Sequence, residues 1–199
     1  MSLEIPRKIV RYERRDERYN TAMLRALHLH PDSVCTAVQG IYVQLERRAR
    51  DIVIDYVIRG SMAELQIPQL SPPRTADELW RHTCCEAFLV KQDDDVYYEL
   101  NFSPSSEWAA YRFDAYRTGM KVVATIAPSI EIHRRDDELQ ILAFVELGGT
   151  ELEAKTLRVG LSAVIEERIG RTSYWALAHA PGKPDFHRAE SFAIEFPAN

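Results

Sequence analysis

The sequence has few cysteines and glycines, and it has no long apolar run. Cysteine occurs three times and glycine eight times in 199 residues. Every uninterrupted apolar run is far shorter than the roughly 20 residues that a membrane-spanning helix needs. Residues 1–20 contain no apolar stretch typical of a secretory signal. An odd number of cysteines without such a signal favours free thiols in a reducing compartment. These absences predict a cytoplasmic protein that does not bind a membrane.

Basic residues are not in excess. The formal net charge is −5 and the pI is about 5.7, so no overall positive field attracts nucleic acid. Arginines alternate with acids in residues 1–20, which is typical of a solvated charged extension. Residues 21–199 are predicted to form a single domain, because an apolar content of 46% over this length suffices for one core.

Motifs of common catalytic sites are missing. The chain contains no GxSxG, HExxH, GxGxxG or phosphate-binding loop motif, and no CxxC pair that would indicate zinc. His179, Asp185 and His187 form a loose cluster near the C-terminus, but their spacing matches no strong metal pattern. We therefore predict no metal, no resident cofactor and no catalytic residue.

Apolar and polar residues alternate with a period of two along most of the chain. At the even positions of residues 52–58, for example, the side chains are Ile, Ile, Tyr and Ile. This alternation is typical of half-buried antiparallel strands. It predicts strands at 24–30, 41–46, 52–58, 84–90, 96–102, 122–126, 130–133, 139–147, 157–165, 174–177 and 192–196. About ten strands without crossover helices predict an all-β fold, a two-sheet antiparallel β-sandwich.

Three segments interrupt this pattern. Residues 76–82 and 164–168 are each predicted to form at most a short helical turn. Residues 66–75 contain three prolines and predict a long loop, and long loops are often functional.

Aromatic and charged residues are concentrated in residues 79–118. Trp80 precedes Glu86 by six residues, and Glu99 and Arg112 follow. Aromatic rings stack on the apolar faces of a sugar, while charged groups hydrogen-bond to its polar rim. The stretch therefore predicts a binding face on a sheet. Two alternatives stay open: Trp80 closes the end of the sandwich while Glu86 neutralises an arginine, or Glu86 and Glu99 act as the acid–base pair of a glycosidase.

The segment WRHTCCEAF, from Trp80 to Phe88, resembles the Trp-x-x-Asp-x-Val-Glu-x-Phe signature of family 9 carbohydrate-binding modules and the wider DOMON-like superfamily. Residues 79–120 look closer still to an uncharacterised bacterial branch of that superfamily. The resemblance extends over residues 24–196 and implies a β-sandwich of jelly-roll type. It also implies that Trp80 and Glu86 contact the sugar and that Phe186 is the second stacking residue. The sequence departs from the family at Thr83, which replaces the aspartate, and at Glu99, which replaces an arginine. Arg112 or Arg117 could fill the role of that arginine from a neighbouring strand.

Together these observations predict the non-catalytic binding of a small polar ligand, with a saccharide as the leading candidate. Trp80 and Phe186 would stack on the ligand, Glu86 would accept hydrogen bonds from hydroxyls, and Arg112 would donate, with Glu99 beside them. One alternative is a haem-binding redox domain, for which Met62, Met120, His82 and His179 are the available axial ligands. Another is a glycoside hydrolase that uses Glu86 and Glu99. The sequence predicts no oligomeric state.

Overall fold

A computed structural model describes residues 23–48 and 50–198. The predicted charged extension at residues 1–20 lies outside the described residues. Within them the chain forms twelve β-strands. In chain order they are β1 Met23–Leu29, β2 Val38–Arg47, β3 Asp51–Gly60, β4 Cys84–Lys91, β5 Tyr97–Phe102, β6 Trp108–Phe113, β7 Lys121–Val122, β8 Ser129–Arg134, β9 Glu138–Glu146, β10 Leu157–Glu166, β11 Thr172–Ala176 and β12 Ile194–Phe196.

Eleven of these strands follow one hydrogen-bonded path. Their spatial order is β7-β6-β5-β4-β10-β11-β1-β2-β3-β9-β8, and β12 pairs with β10 beside this path. Every strand pairing is antiparallel, which confirms the predicted all-β antiparallel class. β1 joins the two halves of the path, because it pairs with β2 on one side and with β11 on the other.

The sheet curls so that its two halves face each other across one apolar core. This inner core contains Ile41, Ile54 and Tyr56 from one half together with Leu89 and Leu161 from the other. The Tyr56 hydroxyl donates a hydrogen bond of 2.7 Å to the Glu86 carbonyl across this core. The predicted division into two sheets is therefore replaced by a single continuous curled sheet. The jelly-roll connection stays a prediction.

A second apolar cluster lies on the opposite face of the half that contains β4. Phe88, Tyr97, Tyr111 and Val164 project from this outer face. Segments between the strands and the C-terminal residues cover them, so strands β4 and β5 are buried on both faces. The two neighbouring cysteines of β4 point to opposite faces and are free thiols, as their alternation requires.

The alternation pattern predicts most strands but misses β6. In β6 both faces are buried over much of its length, so its residues WAAYRF show no contrast between apolar and polar positions. The strand predicted at 122–126 is wrong beyond β7, since residues 124 and 125 form a turn. The predicted helical turn at 164–168 is also wrong because β10 continues to Glu166.

The described helical residues form three single turns of 3₁₀ helix, at Met62–Glu64, Leu79–Arg81 and Ala189–Ser191. The second of these confirms the helical turn predicted within 76–82. Among the described residues, no helix has the length and apolar character to cross a membrane.

Candidate functional site

The candidate site lies on the outer face of strands β6, β5, β4 and β10. Strand register places Asn101, Glu86 and Ser162 side by side in one row. Glu99 lies in the next row, between Tyr111 and Phe88. Because side chains two residues apart share a face, both glutamates project from the same surface of the sheet. We call the surface formed by Glu86, Glu99, Asn101 and Ser162 the acid face.

Glu86 is buried without a cationic partner. Its carboxyl is 3% exposed and accepts a hydrogen bond of 3.3 Å from the Ser162 hydroxyl. Among the described residues, no lysine or arginine forms an ion pair with it within 4 Å. Burial raises the pKa of Glu86 well above its ordinary value, and the nearby Glu99 carboxyl raises it further. This answers one question left by the sequence, because Glu86 does not neutralise a buried arginine.

Glu99 is the second carboxyl of the acid face. It is 5% exposed and accepts a hydrogen bond of 2.8 Å from the Asn101 side-chain amide. The His187 Nε2 atom lies 3.6 Å from Glu99 Oε2. Burial raises the pKa of Glu99 as well. Two carboxyls with raised pKa values on adjacent strands share one low-dielectric environment, and each disfavours the ionisation of the other.

Trp80 lies at one side of the acid face. It belongs to the Leu79–Arg81 turn, is half-buried, and makes an edge contact with Tyr111 at 5.8 Å between ring centroids. The turn follows Glu78, whose φ of 58° reverses the chain direction and brings the turn back over the sheet. Trp80 therefore lies over the β6 side of the face, next to the strand that carries Glu99.

Phe186 lies over the other side of the acid face. It is buried, and its ring contacts Tyr174 of β11 edge-on at 6.1 Å between centroids. The chain that follows packs directly on β10, because a Cβ at Gly160 would lie only 2.9 Å from the Phe192 ring. The two predicted stacking residues thus flank the strands of the carboxyls, with Trp80 towards β6 and Phe186 towards β11.

Arg112, the predicted hydrogen-bond donor, does not reach the acid face. Register places it beside Tyr98, whose side chain belongs to the inner core, so Arg112 projects from the opposite surface of the sheet. There its guanidinium pairs with Asp114 and, at 3.4 Å, with Glu151. The structure therefore separates Arg112 from Glu86 and Glu99, and its predicted role is corrected.

Arg117 is the cation that belongs to the acid face. Its backbone has a φ of 51°, in the tight turn between β6 and β7, and this turns the residue back over the sheet. Its guanidinium pairs with Asp185 at 2.8 Å, and its positive charge lowers the pKa values of Glu86 and Glu99 against the larger effect of burial. Arg117 is thus close enough to influence both acids, although its own partner is Asp185.

His187 connects the acid face to a polar chain. Its Nδ1 atom lies 2.8 Å from the Tyr97 hydroxyl, which in turn accepts a hydrogen bond from the Arg117 backbone N–H. Burial lowers the pKa of His187 to about 4, and the positive charge of Arg117 adds to this effect. His187 is therefore neutral at pH 7, and it can both donate and accept a hydrogen bond.

Three solved structures share this architecture. A protein from Bacteroides uniformis, designated a candidate carbohydrate-binding protein, is 14% identical with a TM-score of 0.64, and the alignment covers 85% of this chain and 84% of that one. A family 9 carbohydrate-binding module from Caldicellulosiruptor kristjanssonii, in complex with glucose, is 11% identical with a TM-score of 0.50 over 85% and 81% of the two chains. The cellotriose complex of a family 9 module from the same organism gives 11% and 0.50 over 84% and 78%.

The chain shares its fold with family 9 carbohydrate-binding modules. At these identities the likeness concerns the fold alone. No protein-family model matches the sequence, and no curated protein matches it. The family 9 part of the predicted resemblance thus has structural support, whereas its DOMON-like part stays a prediction.

On this family 9 fold, a cavity of about 420 Å³ lies beyond the acid face, near the far ends of β4 and β5. His187 and Tyr97 contribute to its wall, so the cavity borders the polar chain described above. Trp80, Glu86 and Glu99 do not line it. The cavity is therefore separate from the predicted site residues.

The predicted haem ligands occupy four different environments. Met62 is buried in the inner core, whereas Met120 is exposed. His82 lies 2.9 Å from Glu166, and the His179 Nε2 atom lies 2.8 Å from the His28 carbonyl. Within the described residues, no group of three or more His, Cys, Asp or Glu side chains has the geometry to hold a metal ion.

Sequence reasoning missed Tyr97 and Ser162 as contributors to the site, and it noted Asn101 and Arg117 without placing them beside the acids. Strand register would have placed Asn101 beside Glu86, because both lie on strands that alternation predicts. Ser162 required the pairing of β4 with β10, because its partner Glu86 lies 76 residues earlier in the chain. Arg117 could not be found by alternation, since a left-handed turn sets its direction.

Proposed function

We propose that the protein binds a saccharide at the acid face without transforming it. Trp80 and Phe186 provide ring faces at the two sides, while Glu86 and Glu99 provide hydrogen-bond acceptors between them. Arg117, rather than Arg112, provides the positive charge at this face. The fold shared with family 9 modules supports the proposal, because such modules were solved in complexes with glucose and with cellotriose.

The observation that carries the proposal is the uncompensated burial of Glu86. Buried carboxyls in a purely structural setting are normally paired with a cation or several donors, since burial of a lone carboxylate is costly. Glu86 has a single hydrogen bond of 3.3 Å from Ser162 and no cationic partner within 4 Å among the described residues. Perturbed acids of this kind are typical of functional sites, and sugar hydroxyls are donors that suit them.

Access to Glu86 requires the Leu79–Arg81 turn to move aside, because the carboxyl is 3% exposed. This turn packs on the outer apolar cluster through Leu79 and Trp80, and the Trp80 ring contacts Tyr111. Two backbone hydrogen bonds of 3.1 and 3.2 Å close it, and an ion pair of 2.6 Å joins Glu78 to Arg81 at the surface. An exposed pair of this kind contributes about 1 kcal/mol or less. Opening of the turn therefore costs mainly the apolar contacts that Leu79 and Trp80 make with the sheet.

Calorimetric titration with glucose and cellotriose tests this proposal. We expect Trp80→Ala to weaken binding at least about tenfold, since the ring supplies stacking and apolar contact. Tyr42→Ala is the matched control, because Tyr42 is an exposed aromatic residue on β2 in the other half of the sheet. Equal affinity of Trp80→Ala and the parent would remove Trp80 from the binding site.

Glycoside hydrolysis is the second candidate function, and the raised pKa values of Glu86 and Glu99 favour it. A carboxyl that keeps its proton near neutral pH is suited to the role of general acid. If this function is correct, the parent releases chromophore from aryl glycosides and Glu86→Gln does not. Release by neither protein, together with sugar binding by the parent, leaves non-catalytic binding as the function.

A further inference from the structure

The cavity beside the acid face has the size of a small-ligand site. Its volume is about 420 Å³, within the range of roughly 300–1,000 Å³ that is common for such sites. Three separate parts of the chain form its walls: the turn between β4 and β5, the turn after β6, and the C-terminal segment around the Ala189–Ser191 turn. A cavity built from distant segments is a property of the tertiary fold and not of one loop.

Aromatic side chains form part of the cavity wall. Tyr97 and Phe192 are buried, and Tyr116 is about half exposed, at 49%. The Arg188 guanidinium lies over the Tyr116 ring at 5.6 Å from its centroid. A buried apolar wall next to an exposed ring offers contact to the C–H faces of a sugar.

The charged groups of the wall balance each other. Arg158 and Arg188 line the cavity together with Asp95 and Glu190. Within the described residues, none of these four side chains forms an ion pair within 4 Å. Asp94, the remaining acid of the wall, is neutralised by Lys91 at 2.8 Å. The wall therefore presents both donors and acceptors without a net field, which suits a neutral polyhydroxylated ligand better than an ion.

The cavity and Glu86 are separated by intervening side chains, although His187 of the cavity wall lies 3.6 Å from Glu99. Val90 of the cavity wall lies four residues along β4 from Glu86, a separation of about 13 Å at the usual rise of a strand. The rings of Phe88 and His187, in edge contact at 5.2 Å between centroids, fill the space between. A ligand in the cavity therefore does not touch Glu86.

We propose that this cavity is a second saccharide-binding site, which takes a neutral sugar ring independently of the acid face. The ring lies against Tyr97, Tyr116 and Phe192. Arg158 and Arg188 donate hydrogen bonds to its hydroxyl oxygens, while Asp95 and Glu190 accept from its hydroxyl groups. The inference depends on the proposed function for the class of ligand but not for the location of the site.

Two substitutions test the cavity without disturbing buried residues. Ala189→Trp places a large ring in the cavity from an exposed position, and Arg188→Ala removes an exposed donor. Ala127→Trp and Arg135→Ala are the matched controls, because both residues are exposed and neither lines the cavity. Circular dichroism of each variant verifies that the fold is retained.

The experiment is a titration with glucose and cellotriose, followed by ¹H–¹⁵N correlation spectra and calorimetry. We expect the parent to show shifted amide signals around residues 94–97 and 187–192. We expect these shifts to vanish in Ala189→Trp and to persist in both controls and in Trp80→Ala. In Arg188→Ala we expect them to require about tenfold more sugar, because the affinity of the cavity falls about tenfold.

The outcomes separate this inference from the proposed function. Shifts in Ala189→Trp equal to those of the parent would overturn the second site while leaving the acid face intact. Binding that Ala189→Trp abolishes and Trp80→Ala leaves unchanged would support the cavity and overturn the acid face. The absence of binding by the parent to either sugar would overturn both.

Discussion

Two carboxyl groups on adjacent strands determine how this protein responds to pH. Burial raises the pKa of Glu86 well above its ordinary value and also raises that of Glu99. Between the ordinary pKa and the raised one, the folded state keeps a proton that the unfolded chain has lost. The contribution of each of these two groups to stability is therefore complete below its unfolded pKa and declines as the pH rises through its folded pKa, by about 1.4 kcal/mol for each pH unit of that window.

Glu86→Gln should remove most of this pH dependence. The amide has nearly the shape of the protonated carboxyl but carries no charge that burial can penalise. We expect the variant to melt at a higher temperature than the parent at pH 8, with a smaller difference at pH 5. Glu195→Gln, on the exposed side of β12, is the control and should match the parent at both values. An equal shift at pH 5 and pH 8 would contradict the sign of the pKa change.

The sequence predicted some residues of the candidate site but could not choose between its two arginines. Trp80, Glu86 and Phe186 were predicted from spacing and resemblance, and the structure places all three at one face of the sheet, while their contact with a ligand stays a prediction. Arg112 and Arg117 could not be distinguished, because one lies on a strand whose alternation was hidden and the other lies in a left-handed turn. Only the tertiary fold decides which guanidinium approaches the acids.

Among the strands, β12 depends on a single buried arginine. It pairs with β10 over three residues. The Arg47 guanidinium donates to the backbone carbonyls of Lys155, at 2.6 Å, and Pro197, at 3.1 Å, and lies over the Phe196 ring at 5.7 Å. It is 5% exposed. The planar group connects three segments that a compact ammonium cannot contact together.

Arg47→Lys should therefore destabilise the protein although it conserves charge. We expect a loss of about 2 kcal/mol, because buried carbonyls lose a charged donor, and faster amide exchange in residues 194–196. Urea unfolding and hydrogen exchange measure the two effects. Arg59→Lys is the control, since Arg59 is exposed and its pair with Glu138 is long, at 3.5 Å. Equal midpoints for the two variants would show that Arg47 contributes only its charge.

At the level of elements, alternation was informative where one face of a strand is polar and uninformative where both faces are covered. It predicted β2 and β3 because each has a repeating contrast between neighbouring positions. It missed β6, where Ala109 and Ala110 are both buried. The short helical turn that carries Trp80 was also predicted, within residues 76–82.

The whole molecule is expected to unfold as one unit. The inner core takes residues from both halves of the curled sheet, and the hydrogen bond between Tyr56 and the Glu86 carbonyl crosses it. In contrast, strand pairing between the halves is limited to two residue pairs of β1 and β11: His28 with Ala176 and Leu29 with Trp175. The halves are thus held together by shared burial more than by strand pairing, and neither keeps its core without the other.

We therefore predict a single cooperative transition in urea. Tryptophan fluorescence and far-ultraviolet circular dichroism should give the same midpoint and the same slope. Trp80 lies on the outer face and Trp175 in the inner core, so the fluorescence reports on both sides of the sheet. Two separated midpoints would mean that one half remains folded after the other has unfolded.

On the same scale, the fold class was accessible from the sequence but the sheet arrangement was not. Antiparallel strands without helices followed from a period of two. The single curled path depends on β1, which pairs with both halves, and on β4 with β10, which are distant in the chain. No local pattern encodes such pairings, because they depend on which apolar faces meet in three dimensions.

The two outermost strands of the path determine how separate molecules meet. β7 is two residues long and begins with an exposed lysine. β8, at the other end, has Glu131, His133 and Arg134 exposed. Edge strands that are short or rich in charged residues resist the addition of a strand from a neighbouring molecule. These two edge strands therefore protect this β-rich protein against fibril growth, even in concentrated solution.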